Sequence, residues 1–401
     1  MQSAGKLVPV FFLVHILSGE ALAASQSAVI TLVFPSEARS LGMGDVGTAL
    51  ADDESVLFFN PAGLGMPNRR WRSGAVSRFW ERLLPALHLP DLYHLHYGVL
   101  HQGLLRDFGG FGLDINGISF GENTLVDEEG VEIARFHSWE GVVTVGWGFN
   151  LEDLGIRNHS WGVSLKYVHS ALAPGMGEAL EGQGQTFAVD VGYLWRFGRD
   201  FRFGVNLANM GPPIFYVDRA EADPLPFTVN AAVACDREFV VDNVRFLGLS
   251  AEVRAAREIA KNYVNSRPDP FWKAVFTDFL NDTSSTWREE MSEIIIHAGA
   301  EVRLLNTIAY RFGFLFDWVG ERYELHQGFG FSLIDHVQID VYSIHSPEGY
   351  FKDIAKHWCG SDNESHRMGS HGARHRQYGF SLTVFRLGEW GFDDHQWWKV
   401  R

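Results

Sequence analysis

Residues 308–318 read IAYRFGFLFDW. Even positions carry Ile308, Tyr310, Phe312, Phe314, Phe316 and Trp318, and odd positions carry Ala309, Arg311, Gly313, Leu315 and Asp317. Successive side chains of a strand point to opposite faces, so one face here is wholly apolar and mostly aromatic while the other is small or charged. A soluble sandwich also alternates, but its wet face usually carries many Lys and Glu. Small residues and isolated charges suit the inside of a tube. The apolar face then meets lipid, where a Lys or Arg at the bilayer midplane would cost about 2–4 kcal/mol.

The same split recurs along the chain. Phe187, Val189, Val191, Tyr193 and Trp195 alternate with Ala188, Asp190, Gly192 and Leu194; Trp161, Val163, Leu165 and Tyr167 with Gly162, Ser164 and Lys166; Phe201, Phe203, Val205 and Leu207 with Arg202, Gly204 and Asn206. Lys166, Asp190, Arg202, Asn206, Arg311 and Asp317 are therefore expected to face the lumen. Fourteen such strands are expected, near residues 72–81, 93–103, 108–120, 139–149, 160–170, 184–196, 200–209, 226–235, 244–255, 294–304, 308–318, 323–333, 336–345 and 377–387. Tight connections follow the even-numbered strands, and long ones (121–138, 210–225, 256–293, 346–377) follow the odd-numbered ones. Short periplasmic turns alternating with long outer loops, and an even strand count, are what an outer-membrane barrel requires. At about 3.3 Å per residue, ten tilted residues cross an apolar band of roughly 25 Å. The fold expected is an all-β, antiparallel transmembrane barrel of about 14 strands with an N-terminal segment in its lumen.

Composition agrees. Among 401 residues there are 42 Gly, 31 Phe, 13 Trp and 11 Tyr, with 21% charged residues, a mixture that suits many short aromatic strands. A formal net charge of -15 argues against a nucleic-acid binder, which would show a basic face. At the N-terminus Lys6, the apolar run LVPVFFLVHIL at 7–17 and Ala21-Leu22-Ala23 read as a secretory signal peptide, residues 1–23. Residues 24–71 are small and Gly-rich and lack the aromatic alternation, so they are expected to fold inside the lumen as a plug. The barrel then spans 72–388, and 389–401 is an aromatic tail with Trp390, Phe392, Trp397 and Trp398. In the longest loop, Asp269 and Pro270 look like the start of a helix. Phe271, Trp272, Val275, Phe276, Phe279 and Leu280 would form its apolar stripe, expected to cover the barrel mouth or rim. Cys235 is expected at the periplasmic rim and Cys359 in an outer loop, with no disulfide between them.

The run LGMGDVG at 41–47 has the Gly42-x-Gly44-x-x-Gly47 spacing of a dinucleotide-binding loop. That loop needs a strand-to-helix turn in a βαβ unit, and none follows here. Its wider context, ARSLGMGDVGTALADDESVLFFNPAGL at 38–64, resembles the PorV/PorQ family of FadL-like outer-membrane barrels, carried by Arg39, Gly42-Met43-Gly44, Ala51-Asp52-Asp53 and Asn60-Pro61-Ala62-Gly63-Leu64. GVSLKYV at 162–168, ANMGPPI at 208–214, DPLPFTV at 223–229 and FSLTVF at 380–385 extend the resemblance over nearly all of the mature chain. It implies a fourteen-stranded barrel plugged by a segment bearing the Asn60-Pro61-Ala62 turn. Gly42, Gly44 and Gly47 would serve close packing there. It further implies either service to type IX-like secretion or surface attachment of exported proteins, as in the PorV branch, or passage of fatty acids or other hydrophobic compounds, as in FadL-like members.

Other motifs carry less. Gly117-Ile118-Ser119-Phe120-Gly121 matches the G-x-S-x-G elbow but falls at a strand's outer end; an enzyme reading requires a His beside Ser119. His357, Cys359, His366, His371 and His375 match no rigid ligand frame. Asp52, Asp53 and Glu54 lack the oxygen spacing of a calcium loop, so capping and ion pairs with lumenal arginines are expected. No catalytic residue, metal or cofactor is expected, and the expected partners are outer-membrane lipid with either secretion components or a hydrophobic ligand. The polar character of the inward residues favours the secretion reading over the conduit.

Overall fold

The computed structural model describes residues 27–67, 74–83, 91–102, 109–127, 130–152, 155–175, 182–217, 222–259, 271–274, 291–320, 322–333, 336–345 and 376–385. Fourteen strands form one closed antiparallel sheet: β1 (Ala75–Arg82), β2 (Leu92–His101), β3 (Gly110–Val126), β4 (Glu132–Asn150), β5 (His159–Ala173), β6 (Gly182–Phe197), β7 (Phe201–Met210), β8 (Thr228–Val241), β9 (Val244–Glu258), β10 (Ile295–Leu304), β11 (Ile308–Asp317), β12 (Arg322–Leu333), β13 (Val337–His345) and β14 (Arg376–Phe385). Each strand pairs with its sequence neighbours, and β1 closes on β14 with Ala75 opposite Phe385. Closure leaves no sheet edge, which is what lets a sheet stand in hydrocarbon.

Burial follows the alternation. On β11, Tyr310, Phe312 and Phe314 are 40%, 54% and 44% exposed, whereas Arg311 is 1% exposed. Val145, Val163, Leu165, Phe187, Val233, Val253, Phe329, Val341 and Phe380 are exposed apolar side chains of the same outer wall. Aromatic rings touch one another near the β4–β5 and β6–β7 turns, with Trp161 tilted against Tyr193 at 5.0 Å, Trp195 tilted against Phe197 at 5.0 Å and Phe197 stacked on Phe201 at 5.7 Å. An apolar band with aromatic girdles is stable only against lipid. The chain is an outer-membrane β-barrel. No helix among the described residues is long and apolar enough to cross a membrane; the strands do so.

Two connections differ from expectation. Most of 121–138, read as a long loop, is strand: β3 and β4 continue to Val126 and from Glu132, around a bulge between Ser119 and Gly121. Beyond the band both faces of a hairpin are in water, so the apolar period that marks a strand disappears while the ladder continues. Likewise β8 runs on to Val241 and turns through Asp242 and Asn243, both at positive φ (51° and 61°), as a two-residue hairpin turn of the primed kind requires.

Residues 27–67 lie inside the barrel. They contain two short helices, α1 (Ala38–Gly42) and α2 (Val56–Phe59), and two 3-10 turns, Ile30–Leu32 and Pro61–Gly65. The described part of this segment begins near the β7–β8 connection, where Ala28 N–H donates to Pro224 O at 2.9 Å. It passes β11 and β12 at mid-height and ends against the lower ends of β3 to β6. Val56, Phe59, Ala62 and Leu64 are almost wholly buried there. Of the expected loop helix, only Phe271–Ala274 is described: Phe271 packs edge-on against Phe227, 6.0 Å between ring centres, and Trp272 is exposed. Asp269, Pro270, Val275, Phe276, Phe279 and Leu280 lie outside the described residues, as do 1–23, 389–401, Cys359 and the histidines at 357, 366, 371 and 375. Cys235 is a free thiol on β8, opposite Phe201.

Candidate functional site

The lumen is the site, and the segment inside it defines its parts. Its glycines sit where the chain is pressed against the wall. Gly44 has φ +78°, and a Cβ there would stand 2.8 Å from Phe314 N and 2.9 Å from the carbonyl oxygens of Ala298 and Phe314. A Cβ on Gly42 would meet the Gly328 Cα at 3.0 Å. Gly47 faces the Phe59 ring. Beyond the last of the three glycines the backbone does cradle an anion, but one that belongs to the protein. Glu252 of β9 accepts four backbone N–H groups: Gly47 at 2.9 Å and Thr48 at 2.8 Å on Oε1, Ala49 at 3.1 Å and Leu50 at 2.7 Å on Oε2. Consecutive amides aimed at one carboxylate perform the task a phosphate loop performs for pyrophosphate. Asn60 caps the 3-10 turn: its Oδ1 accepts from Ala62 N, and its Nδ2 donates to Thr48 O at 2.8 Å and Tyr193 O at 3.1 Å. Pro61 supplies the first position of that turn, where a missing N–H costs nothing. Ala62 and Gly63 are buried with it, and a side chain on Gly63 would run into the Ala51 carbonyl.

Ionic side chains then bolt this segment to the wall. Arg39, in α1, donates from Nη1 to Asp52 and Asp53, both at 2.7 Å, and from Nε and Nη2 to Glu301 of β10 at 3.1 and 3.2 Å. Glu301 also pairs with Arg311 at 2.5 Å and with Arg303 at 3.1 Å, and Arg311 reaches Asp340 of β13 at 2.6 Å. Arg202 holds the Leu50 carbonyl, Asp52 and Asp236. A buried charge is tolerable only when paired, and here the partners come from both the plug and the wall. Although burial opposes it, Arg39 and Arg202 hold the Asp52 carboxyl well below the usual carboxylate range. Glu54 is the exception among the acids expected to find an arginine: its partner is the Thr383 hydroxyl. Burial, with Asp53 beside it, pushes Glu54 up to about 7, and burial with Glu54 and Asp53 nearby raises Glu37 well above the usual range.

Of the other residues expected in the lumen, Lys166, Asp190, Asn206 and Asp317 are buried. Lys166 pairs with Asp190 at 2.7 Å and donates to Asn209 Oδ1 at 2.7 Å, fastening wall strands to one another. Asn206 is fully buried, and Asp317 caps the β11–β12 turn by accepting from Gly320 N at 2.8 Å. Sequence reading did not single out Glu140, Glu252, Glu301 or Asp340. Each is a buried acid flanked in sequence by apolar or small residues (Trp139 and Gly141, Ala251 and Val253, Ala300 and Val302, Ile339 and Val341), which is the signal that marks them.

Above this charged floor apolar side chains gather beside buried polar groups, among them Glu140, which accepts from Thr31 N and Oγ1, and the His94–Asn116 pair. Val29 and Leu32 of the N-terminal arm pack with Val142, Val168 and Ala188 of the wall and with Ile214 and Leu225 of the β7–β8 connection, which folds inward. Ile30 and Phe34 pack on Leu83, Leu92 and Ile118. β7 is short: it ends at Met210 opposite Val189, with a register shift there, and above that point residues 211–215 lie beside β6. Thr186 Oγ1 donates to Pro212 O at 3.0 Å and Tyr216 donates to Ser170 Oγ at 3.2 Å to hold it.

Ser119 does have a histidine within reach, His137 Nε2 at 2.9 Å. Its Oγ also lies 2.7 Å from the Asp91 carbonyl, which can only accept and so takes the hydroxyl proton. Among the described residues no carboxylate bonds His137, so the pair lacks the orienting acid that a nucleophile elbow uses.

No family model and no curated protein matches the sequence. Solved structures overlap it loosely. They include the P. putida toluene transporter TodX (10% identity, TM-score 0.46, 87% of this chain and 96% of that one). The Ralstonia pickettii toluene transporter TbuX overlaps at 11% identity, TM-score 0.42, with 87% and 96% covered. A Pseudomonas aeruginosa FadL homologue overlaps at 9% identity, TM-score 0.43, with 87% and 98% covered.

Proposed function

We propose that the barrel is a conduit for fatty acids or other hydrophobic compounds across the outer membrane. The observation that carries this is an apolar cluster in the lumen. Val29 and Leu32 of the N-terminal arm and Ile214 and Leu225 of the inward connection, two segments that are not wall, close over Val142 and Val168, with the polar Thr31–Glu140 pair beside them. An apolar molecule entering from outside would displace exactly such side chains at little cost, since it replaces one apolar contact by another. The short β7 adds a place where residues 211–215 of that connection lie beside β6. The test is titration of the purified barrel in nanodiscs with a fluorescent long-chain fatty-acid analogue. Saturable binding that Ile214→Glu weakens at least tenfold supports the reading; non-saturable partitioning alike in both proteins refutes it.

A second reading, service to secretion or surface attachment of exported proteins, is favoured by a different feature. The β3–β4 hairpin rises past the apolar band with Val126, Val131 and Ile133 exposed at 41%, 60% and 60%, a surface suited to holding a protein. A pull-down from detergent-solubilised outer membranes with wild type and Val131→Asp/Ile133→Asp separates the two: recovery of secretion components lost in the variant favours this reading.

A further inference from the structure

Three carboxylates from three separate segments meet inside the barrel. Glu37 caps α1, Glu54 precedes α2, and Asp340 lies on β13; one oxygen of each lies within 4.8 Å of the others. All three residues are buried, at 0%, 3% and 0% exposure. Two of them have their oxygens satisfied. Glu37 accepts from Arg39 N at 2.6 Å, Ser40 N at 3.1 Å and Ser381 Oγ at 2.8 Å. Asp340 accepts from Arg311 and from Gln338, both at 2.6 Å. Glu54 differs: Oε1 takes the Thr383 hydroxyl, and Oε2 has no hydrogen-bond donor although it is wholly shielded from solvent.

Charge points the same way. Among the described residues only Asp340 of the three pairs with a cation, Arg311; Glu37 and Glu54 meet none. We propose that Glu37, Glu54 and Asp340 hold a calcium ion that ties the N-terminal arm and the plug to the barrel wall. The donors are all oxygen, which selects a hard cation over zinc or copper. The setting selects between the hard cations: magnesium demands near-ideal octahedral geometry and keeps several of its waters, whereas calcium accepts an irregular set of carboxylates drawn from separate segments. The hydroxyls of Ser381 and Thr383 on β14 border the same group. Removing the ion leaves like charges facing one another across the plug–wall junction.

The experiment uses the full barrel, purified folded in detergent and stripped with EGTA. Radioactive calcium uptake by equilibrium dialysis is expected to reach one ion per barrel, with the thermal midpoint shifted up by several degrees and magnesium at equal concentration failing to reproduce the shift. Glu54→Gln keeps an acceptor for Thr383 but removes the charge; it is expected to lose uptake and to melt identically with and without EGTA. If that variant does not fold, judged by heat-modifiable migration, wild-type uptake alone decides. Absence of uptake at millimolar calcium overturns the proposal. So does a wild-type midpoint indifferent to EGTA that rises on mild acidification, because protons would then supply the missing positive charge.

Discussion

Glu252 shows how much one side chain settles. Its carboxylate receives the amides of Gly47, Thr48, Ala49 and Leu50 while being 1% exposed, so this turn of the plug satisfies its backbone on a wall residue some two hundred positions away. Hydrogen bonds to a charged acceptor are the stronger kind, and a buried amide deprived of one retains its desolvation cost. Glu252→Gln presents an NH₂ group where two of the four donors point. The variant is expected to lose about 1.5–3 kcal/mol, the range for hydrogen bonds to charged groups. Equilibrium urea unfolding from vesicles, followed by tryptophan fluorescence, measures it; a loss below about 0.5 kcal/mol, less than a typical single hydrogen bond, would mean that the amides are held by packing instead.

At the scale of the element, exposure alone does not say what a side chain faces. Val145, in the middle of β4, is 55% exposed and Val131, at the tip of the β3–β4 hairpin, is 60% exposed. The first stands in the apolar band and the second beyond it. Val145→Arg is expected to cost about 2–4 kcal/mol of folding free energy into lipid, whereas Val131→Arg should cost about 0–1 kcal/mol, the depth dependence of a lipid-facing cation. Equal penalties would place the hairpin in the membrane. The same depth dependence explains what could be read from the chain in advance. Strands inside the band, such as β11, declare themselves because lipid forces every second residue to be apolar. The ends of β3, β4 and β8 do not, because water on both faces removes that demand while the ladder persists. The lumenal segment differs in sequence from the strands by its lack of alternation and by Gly42, Gly44 and Gly47. What those glycines approach cannot be read there, since Phe314, Ala298 and Gly328 are more than 250 residues away along the chain, a separation matched by the 253 residues between His297 and the Gly44 carbonyl it bonds. Nor does glycine spacing distinguish amides that receive a phosphate from amides that receive a wall carboxylate.

For the whole molecule, the decisive contrast is between ion pairs that join plug to wall and ion pairs that join wall to wall. Arg39 is of the first kind, linking Asp52 and Asp53 of the plug to Glu301 of β10. Lys166 is of the second, linking β5 to Asp190 of β6. Both are buried, and removing one partner of a buried pair costs about 3–5 kcal/mol because the other charge is stranded. Arg39→Met and Lys166→Met should therefore lower stability to similar degrees, yet act on different coordinates. In Arg39→Met the stranded Asp53 lies in the plug, so its cost is relieved when the plug leaves its seat and water reaches it. In Lys166→Met the stranded Asp190 lies in the wall, and moving the plug relieves nothing. In planar bilayers the wild type is expected to give few conducting steps, Arg39→Met markedly more, and Lys166→Met no more than wild type despite its lower thermal midpoint. If both variants conduct alike, loss of stability by itself opens the lumen, and the ionic floor is a structural filler with no hold on passage.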